Sequence, residues 1–225
     1  MSAETGGITE TERKYQVTPD FAVPDLSGLP GVSAVTEPVT HQLTAVYFDT
    51  TGFRLASAHI TLRRRTGGTD AGWHLKLPAG ADTRREVHAP LGTQPSTVPE
   101  QLASLVSEWS GDQAPHPIAQ LATSRTVRCL TDAAGRVLAE VADDHVTGSL
   151  PGAAAPAHRE WPVASTWREI EVELGLGPAA ILDDVEGRLL QAGARRSAAA
   201  SKLGRLLAAA GIAVPAPKGG PVTDR

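Results

Sequence analysis

The sequence predicts a mainly β protein of the α+β class: a closed β-barrel with helices on its surface and at its C-terminal end. Side chains alternate between the two faces of a strand. The three glutamates of residues 169–173 therefore share one face, while Ile170 and Val172 share the other. Residues 10–14 repeat the pattern, with two glutamates and a lysine on one face. Several strands with charge on one side indicate a closed barrel with a charged interior.

Eight segments carry strand signals, which are alternating or β-branched runs bounded by turn residues. Gly67 and Gly68 mark the turn after the third segment, and Pro78 ends the fourth. Residues 132–135, Asp-Ala-Ala-Gly, suit a four-residue hairpin connection between the sixth and the seventh. The predicted strands are residues 9–17, 42–48, 59–65, 72–77, 83–90, 118–130, 137–144 and 167–174.

Helices are predicted between and after the strands. Asp49 is placed to cap the first helix, and apolar residues recur at helical spacing in the second. The last two predicted helices are rich in Ala and Leu. Residues 149–162 are expected to form an irregular loop, and the polar, Pro- and Gly-rich residues 215–225 a disordered tail. The predicted helices are residues 53–58, 98–109, 178–192 and 198–210.

Composition limits the possible functions. The chain has 225 residues, 41% of them hydrophobic, and a net charge of −4, so nothing global indicates a nucleic acid or a membrane surface as partner. The single cysteine, Cys129, excludes an internal disulfide framework and a cysteine-based zinc site. The N-terminus lacks the basic start and apolar run of a signal peptide, which predicts a cytoplasmic protein.

Basic residues stand on further predicted strands. Arg63 and Arg65 share a face, and Lys76 lies between two leucines, where a central strand rarely has an inward lysine. Arg84 shares a face with Glu86, with which it could form either part of a site or a simple cross-strand ion pair. Each pattern alone is also typical of a solvated strand face or a surface basic patch.

Two choices stay open on the later strands. Arg125 and Arg128 are three residues apart, so a regular strand can point only one of them inward, and we favour Arg125. Asp143 and Asp144 present the same choice, and we favour Asp143. The histidines at positions 59, 74 and 88 are expected to be surface or hydrogen-bonded side chains, since Mg²⁺ does not favour imidazole.

Five motifs in this order resemble the CYTH family, the triphosphate tunnel metalloenzymes. They are ExExK from Glu10, LRxR at 62–65, WxLKxP at 73–78, ExExE from Glu169, and the pair Ser201-Lys202. The resemblance covers residues 8–210, which we expect to form one domain followed by a tail at 211–225. It implies a closed antiparallel barrel of eight strands, whose lumen binds a triphosphate through Arg and Lys and a divalent metal through acidic residues.

The resemblance assigns roles to the charged residues. Arginine and lysine suit phosphate, whereas carboxylates repel it and make sense around a hard cation such as Mg²⁺ or Mn²⁺. The expected catalytic residues are Glu12, Glu171 and Lys14. The expected substrate-binding residues are Lys14, Arg63, Arg65, Lys76, Arg84, Arg125 and Lys202. The expected metal ligands are Glu10, Glu12, Asp143, Glu169, Glu171 and Glu173.

The implied function is metal-dependent hydrolysis of the terminal phosphate of a triphosphate. Aromatic residues are only 4% of the chain, which favours inorganic triphosphate over substrates that carry a base or a thiazole. The alternatives are a thiamine or nucleoside triphosphatase, a class IV adenylate cyclase, and a non-catalytic polyphosphate-binding module. The expected partners are a small triphosphate and a second copy of the chain in a homodimer, with no nucleic acid and no membrane. Some family members carry a helical CHAD domain after the last helix, where this sequence stops, so we expect a stand-alone enzyme or a part of a longer chain.

Overall fold

A computed structural model describes residues 7–151 and 161–216. The described residues form ten strands and four helices. In chain order the elements are β1 (Ile8–Gln16), β2 (Ala34–Val35), β3 (Val39–Asp49), α1 (Arg54–Ser57), β4 (Thr61–Thr66), β5 (Gly72–Pro78), β6 (Thr83–Ala89), α2 (Glu100–Ser110), β7 (His116–Thr131), β8 (Val137–Ser149), β9 (Val163–Leu174), α3 (Ala180–Gln191), β10 (Arg195–Arg196) and α4 (Lys202–Ala209).

Eight of these strands close into an antiparallel barrel, which confirms the predicted fold. The strands follow one another in the order β1-β6-β5-β4-β3-β7-β8-β9. The ring closes because β1 changes partner along its length: residues 8–11 pair with β6 and residues 12–16 pair with β9. The short strands β2 and β10 lie outside the ring, against β7 and β1.

Helices cover the outer face of the barrel. Ile170 and Val172 of β9 pack against α3, as the alternating pattern predicts. Leu62 of β4 and Leu75 of β5 pack against α1 and α2 in a second cluster. Since these apolar side chains take the outer face, the charged residues between them point inward. Among the described residues, no helix is long and apolar enough to cross a membrane.

The last helix, α4, packs against the inner face of the barrel wall. Leu203 and Leu206 of α4 contact Tyr47, Leu121 and Val146, which alternate in phase with the inward-facing charges of their strands. Gly148 permits this close approach, because a Cβ atom there would lie only 2.6 Å from a methyl group of Leu206. An apolar contact thus holds α4, and the lysine that begins it, inside the barrel.

Most element boundaries agree with the sequence, and the exceptions have local causes. Asp49 caps α1 as predicted, since its carboxylate accepts hydrogen bonds from the backbone N–H groups of Leu55 and Ala56, both at 2.9 Å. The start of α4 was placed too early: the Ser201 side chain caps the helix by accepting from Gly204 N at 3.0 Å. The expected loop at 149–162 and tail at 215–225 lie mainly outside the described residues.

Candidate active site

A cavity of about 940 Å³ occupies the interior of the barrel, and we call it the tunnel. Its wall carries the charged residues that share the inner faces of the strands, together with the first residues of α4. All but two of the predicted site residues line it; the exceptions are Asp143 and Glu169. The charged lining residues are Glu10, Glu12, Lys14, Arg63, Arg65, Asp70, Lys76, Arg84, Glu86, Arg125, Glu140, Glu171, Glu173, Lys202 and Arg205.

Three carboxylates from β8 and β9 converge on one side of the tunnel, and we call them the acidic triad: Asp144, Glu169 and Glu171. One oxygen of each lies within 4.8 Å of the others. The ammonium of Lys202 sits among them, with its Nζ atom 2.9 Å from Asp144, 2.8 Å from Glu169 and 2.6 Å from Glu171. Burial opposes the charge of Lys202, but these carboxylates outweigh it and raise its pKa. The acidic triad therefore has the geometry and charge of a cation-binding site.

Further cations hold the triad from the tunnel side. Arg125 donates two hydrogen bonds to Asp144, at 2.8 and 2.6 Å, and contacts Glu171 at 2.5 Å. Lys14 lies 3.0 Å from Glu171 and 2.5 Å from Glu12. Although burial alone would raise it, Lys14, Lys202 and Arg125 hold the pKa of Glu171 well below its usual value. Glu171 is thus a fixed negative charge across the neutral pH range.

The opposite wall, on β4, carries arginines with few partners. Arg63 has no carboxylate within salt-bridge distance among the described residues, and it donates a long hydrogen bond, of 3.4 Å, to the Tyr47 hydroxyl. Arg65 is 6% exposed and pairs with Asp70. The Nε atoms of both arginines are buried without a hydrogen-bond partner in the described structure. Burial, Arg63 and Arg125 lower the pKa of Arg65 to about 10. This wall has excess positive charge and suits an anion.

Lys76 and Glu10 face each other between these two walls. The Lys76 ammonium contacts the Glu10 carboxylate and lies 3.5 Å from Glu86. Burial and a hydrogen bond with Glu86 raise the pKa of Glu10 to about 8. Burial likewise raises the pKa of Glu173, which has no ion pair among the described residues. Glu10 therefore has the environment of a group that exchanges a proton near neutral pH.

The free energy of unfolding should fall less as the pH rises in Glu10→Gln than in the parent protein. The folded protein holds a proton on Glu10 up to about pH 8, whereas the unfolded chain releases it near 4.5. Between those values the folded state binds more protons, so the free energy of unfolding falls as the pH rises. We expect the difference in the free energy of unfolding between Glu10→Gln and the parent protein to change by about 1 kcal/mol or more from pH 5 to pH 8.

Urea denaturation in the presence of a chelator, repeated across this pH range, measures the effect. Glu37→Gln is a matched control, because Glu37 lies exposed before β3, away from the tunnel. Parallel stability curves for Glu10→Gln and the parent protein would show that Glu10 carries no such proton.

One inward placement predicted from the sequence is wrong. Asp143 points out of the barrel, where Arg168 donates to both of its oxygens at 2.9 and 2.8 Å, and Asp144 points into the barrel instead, toward Arg125 and Lys202. A turn beginning at Asp144 would favour Asp143 as the inward residue, but β8 continues without a break to Ser149. The register that pairs Asp144 with Arg125 sets the inward residue. The preferred Arg125 does lie in the tunnel.

The structure also places residues that the sequence left undecided. Arg84 lines the edge of the tunnel and donates to the carbonyl groups of Gly80 and Thr83, both at 3.0 Å, rather than to Glu86. Glu169 is 2% exposed and lies behind Lys202. Tyr47 was not predicted, although the alternation of β3 would have placed its hydroxyl inside. Lys76 points inward between its two leucines, as expected.

The fold and the tunnel agree with the comparison to known families. The model of the CYTH domain family matches residues 9–205. The chain belongs to the CYTH family. This explains why the charged motifs of five separate segments meet inside one barrel.

CYTH relatives of this chain include longer proteins. An uncharacterised protein of Mycobacterium tuberculosis, Rv2226 in strain H37Rv and MT2285 in strain CDC 1551, is 45% identical over 206 residues. The match covers 89% of this chain and 40% of the relative, so the chain spans about two fifths of the length of the curated relatives it matches.

Solved structures share the fold at low sequence identity. A candidate adenylate cyclase (bh2851) of Bacillus halodurans is 19% identical, with a TM-score of 0.57 over 87% of this chain and 96% of that one. PH1819 of Pyrococcus horikoshii is 13% identical, with a TM-score of 0.50 over 88% and 98% of the two chains. At these identities the likeness concerns the fold.

Proposed function

We propose that the tunnel binds a triphosphate and, with Mg²⁺ or Mn²⁺, hydrolyses its terminal phosphate, with inorganic triphosphate as the expected substrate. The observation that supports this most is the separation of charge across the lumen. Arginines without sufficient partners line β4, and the acidic triad lies on β8 and β9. A metal–triphosphate complex has the matching arrangement, with phosphate oxygens toward the arginines and a cation toward the carboxylates.

The basic residues would bind and orient the phosphates. Arg63 and Arg65 present planar guanidinium groups, which form paired hydrogen bonds with phosphate, and Lys76 supplies a point charge. A bound phosphate would take up the unused donors of Arg63 and Arg65 and reduce their mutual repulsion. Arg125 and Lys14 would reach both phosphate and carboxylates, because they already lie between the two walls.

The acidic triad fits a divalent metal by its chemistry. Its donors are carboxylate oxygens, which Mg²⁺ and Mn²⁺ prefer, and its carboxylates already surround an ammonium group. When bound, the metal would neutralise charge that develops on the phosphates. Lys202, now held by the triad, would then be free to turn from the carboxylates to the phosphate chain.

Glu12 and Glu171 were both expected to position the attacking water. Glu171 is surrounded by Lys14, Lys202 and Arg125, which makes it a poor proton acceptor and suits it to charge neutralisation. Lys14 and Lys76 also lower the pKa of Glu12, but among the described residues only Lys14 forms an ion pair with it. We therefore assign the orientation of water to Glu12 and propose that Lys14 holds it in place.

Phosphate release from a panel of compounds tests the proposal. The panel contains inorganic triphosphate, thiamine triphosphate, ATP and pyrophosphate, each with Mg²⁺, with Mn²⁺ and with chelator. We expect metal-dependent release from inorganic triphosphate at a rate that exceeds the others. Cyclic AMP formed from ATP without phosphate release would replace hydrolase by cyclase, and triphosphate binding without turnover would indicate a binding module.

A further inference from the structure

A second cluster of metal-type ligands lies apart from the acidic triad, on β5 and β6. It consists of His74, Glu86 and His88, which we call the imidazole cluster, and one donor atom of each lies within 4.8 Å of the others. The two rings meet edge to face with centroids 4.4 Å apart. His74 and Glu86 are 1% and 3% exposed, whereas the side chain of His88 is 44% exposed and gives access from outside.

The hydrogen bonds of His74 leave a conflict at its second nitrogen. Nε2 lies 2.9 Å from the backbone carbonyl oxygen of Asp70, which can only accept, so Nε2 carries the proton. In a neutral imidazole Nδ1 then presents a lone pair, and it lies 2.8 Å from Oε1 of Glu86. His88 Nε2 is 3.3 Å from the same oxygen.

A proton on Nδ1 would join only His74 and Glu86, whereas the ring nitrogen of His88 is directed at the same carboxylate oxygen. A metal ion at this point would contact all three donors, and it would join two buried lone pairs that are costly to leave facing each other.

We infer that the imidazole cluster is a site for a transition-metal ion such as Zn²⁺ or Co²⁺, held by Nδ1 of His74, a carboxylate oxygen of Glu86 and a ring nitrogen of His88. Two imidazoles and a carboxylate are a common ligand set for Zn²⁺ and leave a fourth position open. The carbonyl group of Asp70 acts in the usual way of a supporting partner, because it binds the other ring nitrogen and fixes the tautomer.

The surroundings of the cluster are compatible with a cation. Lys76 approaches Glu86 through its other oxygen, Oε2, at 3.5 Å, so Oε1 remains directed at the two rings. Asp70 offsets the charge of Arg65, which leaves Arg63 as the main opposing charge on this wall. Since Mg²⁺ favours oxygen ligands, the imidazole cluster and the acidic triad should select different metals.

Cobalt absorption tests the inference on the tag-free protein. Co²⁺ is titrated in saturating Mg²⁺, which occupies sites made of oxygen ligands, and visible absorption reports Co²⁺ with a low coordination number. We expect bands that saturate at about one equivalent. His88→Gln should weaken binding by about tenfold or more, and His74→Gln should remove the bands.

Two controls locate the ion. His145→Gln changes a histidine that is 57% exposed on the outer side of β8 and should leave the titration unchanged. Asp144→Asn alters the acidic triad and should also leave it unchanged. Because His88 is half exposed, its replacement should not unfold the protein even if His74→Gln does. Absence of the bands, or equal titrations for His88→Gln and the parent protein, would overturn the inference.

Discussion

Asp144→Asn should abolish metal-dependent phosphate release, whereas Asp143→Asn should leave it nearly unchanged. The two aspartates are neighbours in the chain, but Asp144 belongs to the acidic triad and Asp143 pairs with Arg168 outside the barrel. A metal that stabilises charge in the transition state contributes several kcal/mol. Each 1.4 kcal/mol corresponds to a factor of ten, so we expect a rate loss of about 10²- to 10³-fold.

The pair of variants separates chemistry from stability. Asp144→Asn leaves Arg125 and Lys202 with one carboxylate fewer in a buried place, which should destabilise the protein by a few kcal/mol, on the order of 3. Asp143→Asn weakens a largely buried pair with Arg168, whose side chain is 12% exposed, and should also destabilise the protein, by about 1–3 kcal/mol. Rates should therefore be compared well below the melting temperature of each variant, with folding checked by circular dichroism.

The measurement is phosphate release from inorganic triphosphate as a function of Mg²⁺ concentration. Asp144→Asn should lower the rate and shift the metal dependence to higher concentration, while the triphosphate still binds. If Asp143→Asn lowered the rate as strongly as Asp144→Asn, the assignment of the acidic triad as the metal site would be wrong.

The barrel could be predicted from the sequence because the alternation of charged and apolar residues that indicates it lies within single strands. The period of two in residues 169–173 separates Ile170 and Val172 from the glutamates, and the structure keeps that separation. Lys76 was predictable for the same reason, since two leucines fix its direction. The order of the charged motifs then identified the family, which implied the closed ring.

The remaining features depend on register and on packing between distant segments. Asp143 and Asp144 look alike in the chain, and only the pairing of β8 with β7 decides between them. The strands β2 and β10 have two residues each, too few to show any period. The supporting contact from Asp70 to His74 is made by a backbone carbonyl, which no side-chain pattern records. The predicted homodimer and the preferred substrate stay predictions.

Arg65→Met should stabilise the ligand-free protein and weaken its binding of triphosphate. Arg65 is buried, its Nε atom has no partner in the described structure, and burial together with Arg63 and Arg125 lowers its pKa to about 10. A folded state that disfavours the charged form is destabilised by that charge at neutral pH. Replacing a buried ion by an apolar side chain of similar size often stabilises by about 1–4 kcal/mol, and we expect the lower end because the pair with Asp70 is lost.

The affinity of Arg65→Met for triphosphate should fall, although its stability without ligand rises. A hydrogen bond to a charged group is worth about 1.5–3 kcal/mol, which corresponds to a loss of about 10- to 100-fold in triphosphate affinity. Arg64→Met is the matched control, because Arg64 points to the outer face of β4 and donates to the carbonyl oxygen of Leu91 at 3.3 Å. Thermal denaturation with and without triphosphate measures both effects, since a ligand stabilises in proportion to the logarithm of its concentration over its Kd.

The two effects together distinguish a binding wall from a structural one. If Arg65 served the fold, Arg65→Met would lower the melting temperature without ligand and leave the triphosphate-induced shift intact. If it serves the anion, the melting temperature without ligand rises and the shift shrinks. An unsatisfied guanidinium in a protein interior is a cost to folding that binding of an anion removes. We therefore expect a buried arginine that contributes to triphosphate affinity to lower the stability of the ligand-free protein.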